Sequence, residues 1–110
     1  MANLLPKSFY IGNDSASNVY TVSNTAGSYS IVRNINICNR SGSVATCNLH
    51  ILGPSGTPGN NNAVLSSFAV NSNETVSYDA SIVLDAGQKI YILNTGNICT
   101  FTISGVEYSA

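Results

Sequence analysis

An all-β fold, an antiparallel β-sandwich of jelly-roll type in a single domain, is predicted by three features of this 110-residue sequence. Apolar and polar residues alternate with a period of two through most of the chain, the pattern of strands buried on one face. Strand-like runs recur at intervals of about 8–12 residues with Gly, Asn and Ser turns between them, the spacing of sandwiches and jelly rolls. No segment keeps the 3.6-residue period of an amphipathic helix. A chain of this length makes one domain with one modest core.

Taken in order, the sequence begins with a mostly polar arm, residues 1–24. Within it "FYI" and "VYTV" predict one or two short strands, and the arm is suited to fold over a partner. The sandwich domain is expected over residues 25–110. Its first run, "SYSIVRNINIC", places Tyr29, Ile31, Ile35 and Ile37 on one face and Ser30, Asn34 and Asn36 on the other. Arg33 breaks the inward face, which marks it as lying near a strand end or at an interface with another copy. "NRSGS" is a turn, and "VATCNLHIL" alternates again with Ala45, Cys47, Leu49 and Ile51 inward. The two runs are predicted to pair as a hairpin with their apolar faces matched.

The stretch "GPSGTPGNNN" follows, and then "AVLSSFAV" as a short strand. "NSNE" turns the chain into "TVSYDASIVL", one strand or two. "DAG" leads into "QKIYIL", and "NTGN" reads as a tight hairpin connection. The final run, "ICTFTISGVEY", points Cys99, Phe101 and Ile103 inward and Thr100, Thr102 and Ser104 outward.

Composition excludes several functions. Charged residues are only 8% of the chain against 44% hydrophobic, and the net charge is −1. The polar surface is therefore built from Asn, Ser and Thr, and little charge repulsion keeps copies apart, so self-association is expected. The four cations, Lys7, Arg33, Arg40 and Lys89, are scattered, whereas nucleic-acid binding needs them clustered. No apolar run approaches the ~20 residues of a membrane helix. The N-terminus lacks the basic and apolar regions of a secretory signal. Three cysteines at these spacings fit neither a disulfide framework nor a zinc motif, which suits free thiols in a reducing cytoplasm. Cys47 and Cys99 fall on core faces, and Cys38 is the most exposed of the three.

The residues that carry chemistry elsewhere are poorly placed for it here. The 53–62 loop has no Gly-Lys-Ser/Thr ending and is followed by a strand, so it is no phosphate cradle. It also has no carboxylate to supply charge to calcium. His50, the sole histidine, occupies an outward position and reads as a solvated strand residue. Asp14, Glu74, Asp79, Asp85 and Glu107 are dispersed, with Asp79 and Asp85 in turn-forming contexts. Tyr29, Tyr78 and Tyr91 are expected in packing rather than as a sugar platform. No cofactor, metal or catalytic residue is expected.

The order of segments, from "IVRNINICNRSGSVATCNLHILGPSG" through "VLSSFAVNSNETVSYDASIVLDAGQKIYIL" to "CTFTISGVEYSA", resembles small virion proteins of tailed bacteriophages, and so does the opening "MANLLPKSFY". The resemblance implies a non-enzymatic β-sandwich structural component, above all a capsid decoration (cement) protein that binds major capsid subunits. It implies a homotrimer, made in the bacterial host cytoplasm and carried in the virion. A tail, neck or fibre component is the alternative, and a carbohydrate-binding module the second. On this reading the candidate interaction loop is Gly53, Pro54, Ser55, Gly56, Thr57, Pro58, Gly59, Asn60, Asn61 and Asn62, and the candidate interface residues are Arg33 and Arg40.

Overall fold

Every alternating run becomes a strand. The computed structural model describes residues 4–110, so the first three residues of the expected arm lie outside it. The strands are β1 (Leu4–Gly12), β2 (Ala16–Thr21), β3 (Tyr29–Asn39), β4 (Ala45–Leu52), β5 (Ala63–Val70), β6 (Thr75–Asp85), β7 (Lys89–Asn94) and β8 (Cys99–Tyr108). They form two antiparallel four-stranded sheets in the orders β1-β8-β3-β6 and β2-β7-β4-β5. Eight strands divided in this way make a jelly roll, two sheets sharing one core. No helix among the described residues is long and apolar enough to cross a membrane.

The core lies between the sheets. Ile35, Ile37, Phe101 and Ile103 from one sheet meet Leu49, Ile90 and Ile92 from the other, all essentially without solvent exposure. Each such side chain contributes about 1.5–3 kcal/mol by leaving water. Phe9 of β1 and Val22, just after β2, belong to the same core. The N-terminal segment thus supplies an outer strand to each sheet, and the core is continuous across the boundary expected at residue 24.

Pairing departs from the sequence reading. β3 and β4 sit in different sheets, so their apolar faces oppose each other across the core instead of lying side by side. "NTGN" likewise carries the chain from β7 in one sheet to β8 in the other. Among the described strands, β4 and β5 are the only consecutive pair that are neighbours in one sheet, so the 53–62 loop is the true hairpin connection. Two buried asparagines brace the crossings. The Asn39 amide donates to the Ser43 and Val70 carbonyls at 2.8 and 3.0 Å, and its oxygen accepts from the Ser41 amide at 2.9 Å. The Asn94 amide donates to the Cys99 carbonyl at 2.6 Å and its oxygen accepts from the Cys99 N–H at 3.1 Å. Without these partners, buried backbone groups at the turns would lose their hydrogen bonds.

A bulge explains Arg33. The register of β3 slips between Val32 and Asn34, and one extra residue reverses which face every later side chain occupies. Upstream of the slip Ser30 and Val32 are buried; downstream Ile35 and Ile37 are. Tyr29 and Ile31, expected inward, therefore face out, and Arg33 is exposed in mid-strand rather than at a strand end. A second slip lies in β1 between Ser8 and Tyr10. Both flank Gly105 of β8, which pairs with Lys7 on one side and Val32 on the other. A Cβ at Gly105 would overlap the Ile31 carbonyl and stand 3.0 Å from the Arg33 nitrogen. The strands approach here as only glycine permits.

Candidate interaction surface

The register sets out the outer face of the β1-β8-β3-β6 sheet row by row. Leu4, Tyr108, Tyr29 and Asp85 stand in one outward row, and Pro6, Val106, Ile31 and Val83 in the next. Ser8, Ser104, Asn34 and Asp79 form the third, then Ile11, Thr102, Asn36 and Ser77 the fourth. The face is thus divided. Its first two rows are apolar across all four strands, apart from Asp85 at a corner, and its other rows are mostly Ser, Thr and Asn. Tyr29 and Tyr108 stack with ring centroids 5.1 Å apart. Leu4 and Val83, at the two edges, remain 51% and 55% exposed. In the polar half, the Asn34 amide donates to Ser77 Oγ and Asp79 Oδ1, both at 3.0 Å.

A shallow groove of about 440 Å³ lies where the halves meet, lined by Pro6, Lys7, Ser8, Arg33, Ser104 and Gly105. The two bulges and the missing side chain at Gly105 make its floor. Lys7 lies in a row with buried Val32, so between outward Pro6 and Ser8 its side chain turns to the opposite face, and Arg33 is the cation the groove presents. Lys7 Nζ lies 3.4 Å from Glu107 Oε1, and Glu107 also accepts a hydrogen bond from the Tyr20 hydroxyl. Burial, followed by this carboxylate, pushes the Tyr20 phenol up to about 12. Arg33 takes part in no ion pair among the described residues. Arg40, its companion in the sequence reading, is exposed in the β3–β4 connection and does not join the groove. Gly105 was missed as a site residue. The available signal was the isolated glycine inside "TISGVEY", which in a strand marks a bulge or a close approach of backbones.

The 53–62 loop behaves differently. His50 and Leu52 point to the outside of the other sheet, level with Tyr91 and Lys89 of β7, yet only 7% and 2% of their surfaces are exposed. The loop folds back over them. Asn62 fixes it: its side-chain oxygen accepts from His50 Nδ1 at 2.7 Å and from the Gly59 N–H at 3.0 Å, while its amide donates to the Thr57 carbonyl at 2.9 Å. The Tyr91 ring meets His50 edge-on at 6.0 Å. His50 is therefore a buried, hydrogen-bonded residue and not the solvated one expected. What the loop displays is its crest, residues 54–58.

The remaining candidates stay apart. No group of three or more His, Cys, Asp or Glu side chains gathers among the described residues. The cysteines are free, with Cys47 and Cys99 buried and Cys38 partly exposed. Burial pushes the Cys47 thiol up to about 12, which leaves it protonated and unreactive at neutral pH. Tyr29 stacks on the outer face of one sheet, Tyr91 lies on the outer face of the other, and Tyr78 pairs with the inward-facing Ile35 at the β6 edge. They form no common platform.

No family model matches the sequence, and no curated protein matches it. Among solved structures, the infectious bursal disease virus Gx strain matches at a TM-score of 0.48 and 11% identity, over 98% of this chain and 31% of that one. The VP2 subviral particle of the same virus matches at 0.48 and 14%, over 97% of this chain and 32% of that one. The Gt strain matches at 0.39 and 10%, over 98% and 30%. This chain thus spans about a third of the length of the chains it matches. With identities this low and TM-scores below one half, such likeness assigns no function.

Proposed function

We propose that this protein is a non-enzymatic virion structural protein, a capsid decoration protein of the tailed-bacteriophage kind that binds major capsid subunits in many repeated copies. The observation that carries the reading is the bare apolar half-face on a rigid sandwich. Four strands hold an apolar surface in fixed geometry and leave it to water, which is costly unless something covers it. Jelly rolls serve viral shells, lectins and cupins alike, so the fold alone does not choose among them. The sequence resemblance to small phage virion proteins narrows the choice. Small contacts suffice for such a role, because repetition over a shell converts weak sites into firm attachment. Tail, neck or fibre placement uses the same surface at lower copy number.

Quantitative mass spectrometry of purified particles tests the reading. A copy number close to that of the major capsid protein is the expected result. A few to a few dozen copies per particle would move the protein to the tail, neck or fibres, and absence from particles would overturn the virion reading.

A further inference from the structure

We infer that the apolar half-face is an interface between two copies of this chain, related by a two-fold axis, in which Asp79 of each copy enters the Arg33 groove of the other. The argument starts from the charges around the patch. The groove on its polar side presents one cation, Arg33, which is outside any ion pair among the described residues. A surface that fits must be an apolar strip flanked by a carboxylate. This chain has such a carboxylate on β6, where the outward series runs Asp85, exposed Val83, Ser81 and Asp79. The partner chemistry that the face asks for is thus present at its own far edge.

The register allows the two to meet. A half-turn about an axis parallel to the strands, lying between two apposed faces, sets β3 of one copy over β8 of the other and β6 over β1. Tyr29 then falls over Tyr108, Ile31 over Val106 and Val83 over Pro6. In the next row Asp79 falls over Ser8, which lines the groove together with Arg33. Asp85 falls over Leu4 at the rim, where its carboxylate keeps its water. The strands stay aligned, as they do in face-to-face sheet packing. Each contact occurs twice, because a two-fold interface presents the same patch on both sides.

Edge-to-edge pairing is the less favourable route to self-association. β1 carries Pro6, which has no N–H to offer, and a bulge, and both blunt an edge strand. The apolar half-face spans four strands and two rows, roughly 300 Å² in outline, against about 800 Å² per partner in a standard stable interface. The pair is therefore weak in free solution and closes at two copies, in place of the three that the sequence resemblance implies. The inference goes beyond the proposed function: the face cannot meet a second copy and a capsid subunit at once, and a pair this weak gives way where a larger contact is offered. It is tested without particles, so its failure and the failure of the virion reading are distinguishable.

The experiment is sedimentation equilibrium on the full chain from about 10 μM to about 1 mM, the range in which weak interfaces of this size associate. Wild type, Arg33→Asp, Asp79→Arg and an equimolar mixture of the two variants are compared, after circular dichroism shows that the variants melt as wild type does. Wild type is expected to form dimers. Each variant alone places like charges together at both contacts and weakens pairing by about tenfold or more. The mixture restores it, because both contacts of a mixed pair again join opposite charges. At one contact the two substituted side chains meet with their signs exchanged, and at the other the unaltered Arg33 meets the unaltered Asp79. A wild type that stays monomeric, variants that pair as wild type does, a stoichiometry other than two, or a mixture that fails to recover would each overturn the inference.

Discussion

The two sheets of this sandwich present outward faces that handle the same problem in opposite ways. On β4, Leu52 and His50 point away from the core, and the 53–62 loop folds back to bury them. On β3, Tyr29 and Ile31 also point away from the core, and no segment of the described chain covers them. The loop that covers one face is itself, among the described strands, the only connection between sheet neighbours. It must return the chain over its own sheet, so its ten residues can serve as a lid. Every other connection crosses between sheets at an end of the sandwich and has no path over a face. An uncovered apolar half-face is thus a consequence of the topology, and it falls where a partner can reach it.

The largest effect is expected where the bare face is built. Gly105→Ala puts a methyl group into the Ile31 carbonyl, between two bulged strands that cannot both give way. A loss of about 3 kcal/mol or more is expected, at the top of the range for overpacking. Urea denaturation measures it. A variant within about 1 kcal/mol of wild type would mean that β3 can move off β8, and that the groove is not a fixed feature of the face.

A pair of truncations compares the faces directly. Leu52→Ala empties a site that is 2% exposed beneath the lid, and about 2–3 kcal/mol should be lost, the lower part of the range for buried leucine because a loop can settle into the space. Val83→Ala removes two methyl groups from a side chain 55% exposed on the bare face, and less than about 1 kcal/mol should be lost. Thermal melts of the two at low concentration check the difference. Equal losses would show that the bare face is covered within the monomer after all.

The difference between the faces was only partly legible in the sequence. Strands and the inward set Cys99, Phe101 and Ile103 could be read because alternation reports burial directly. Neighbours could not, because β3 and β4 alternate identically whether they pair or oppose each other across a core. The adjacent apolar residues Ile31 and Val32 left the parity of "SIVRNIN" ambiguous, and only the bulge decides that Val32 goes in and Ile31 out. Arg33 stood out as an anomaly for a sound reason, since a cation on an apolar parity signals that the parity changes. Its groove neighbours, Pro6 and Ser8, lie on a strand whose register no local pattern sets. His50 was misread because alternation says nothing about a loop that returns over an outward face.

The anchor of the lid sharpens the comparison most. The Asn62 side chain ties two positions of the lid, Thr57 and Gly59, to His50 of β4. Asn62→Ala leaves a buried imidazole nitrogen without its partner and frees the crest, at an expected cost of about 1–2 kcal/mol. Hydrogen exchange should report faster exchange of the Gly59 and Ile51 amides, both of which bond to Asn62, the first to its side chain and the second to its backbone. If the lid alone keeps this face inert, the variant also gains concentration-dependent association that Arg33→Asp does not suppress, because the newly exposed Leu52 lies on the opposite sheet. Unchanged sedimentation with faster exchange would show instead that the path set by Pro54 and Pro58 covers Leu52 without help from Asn62.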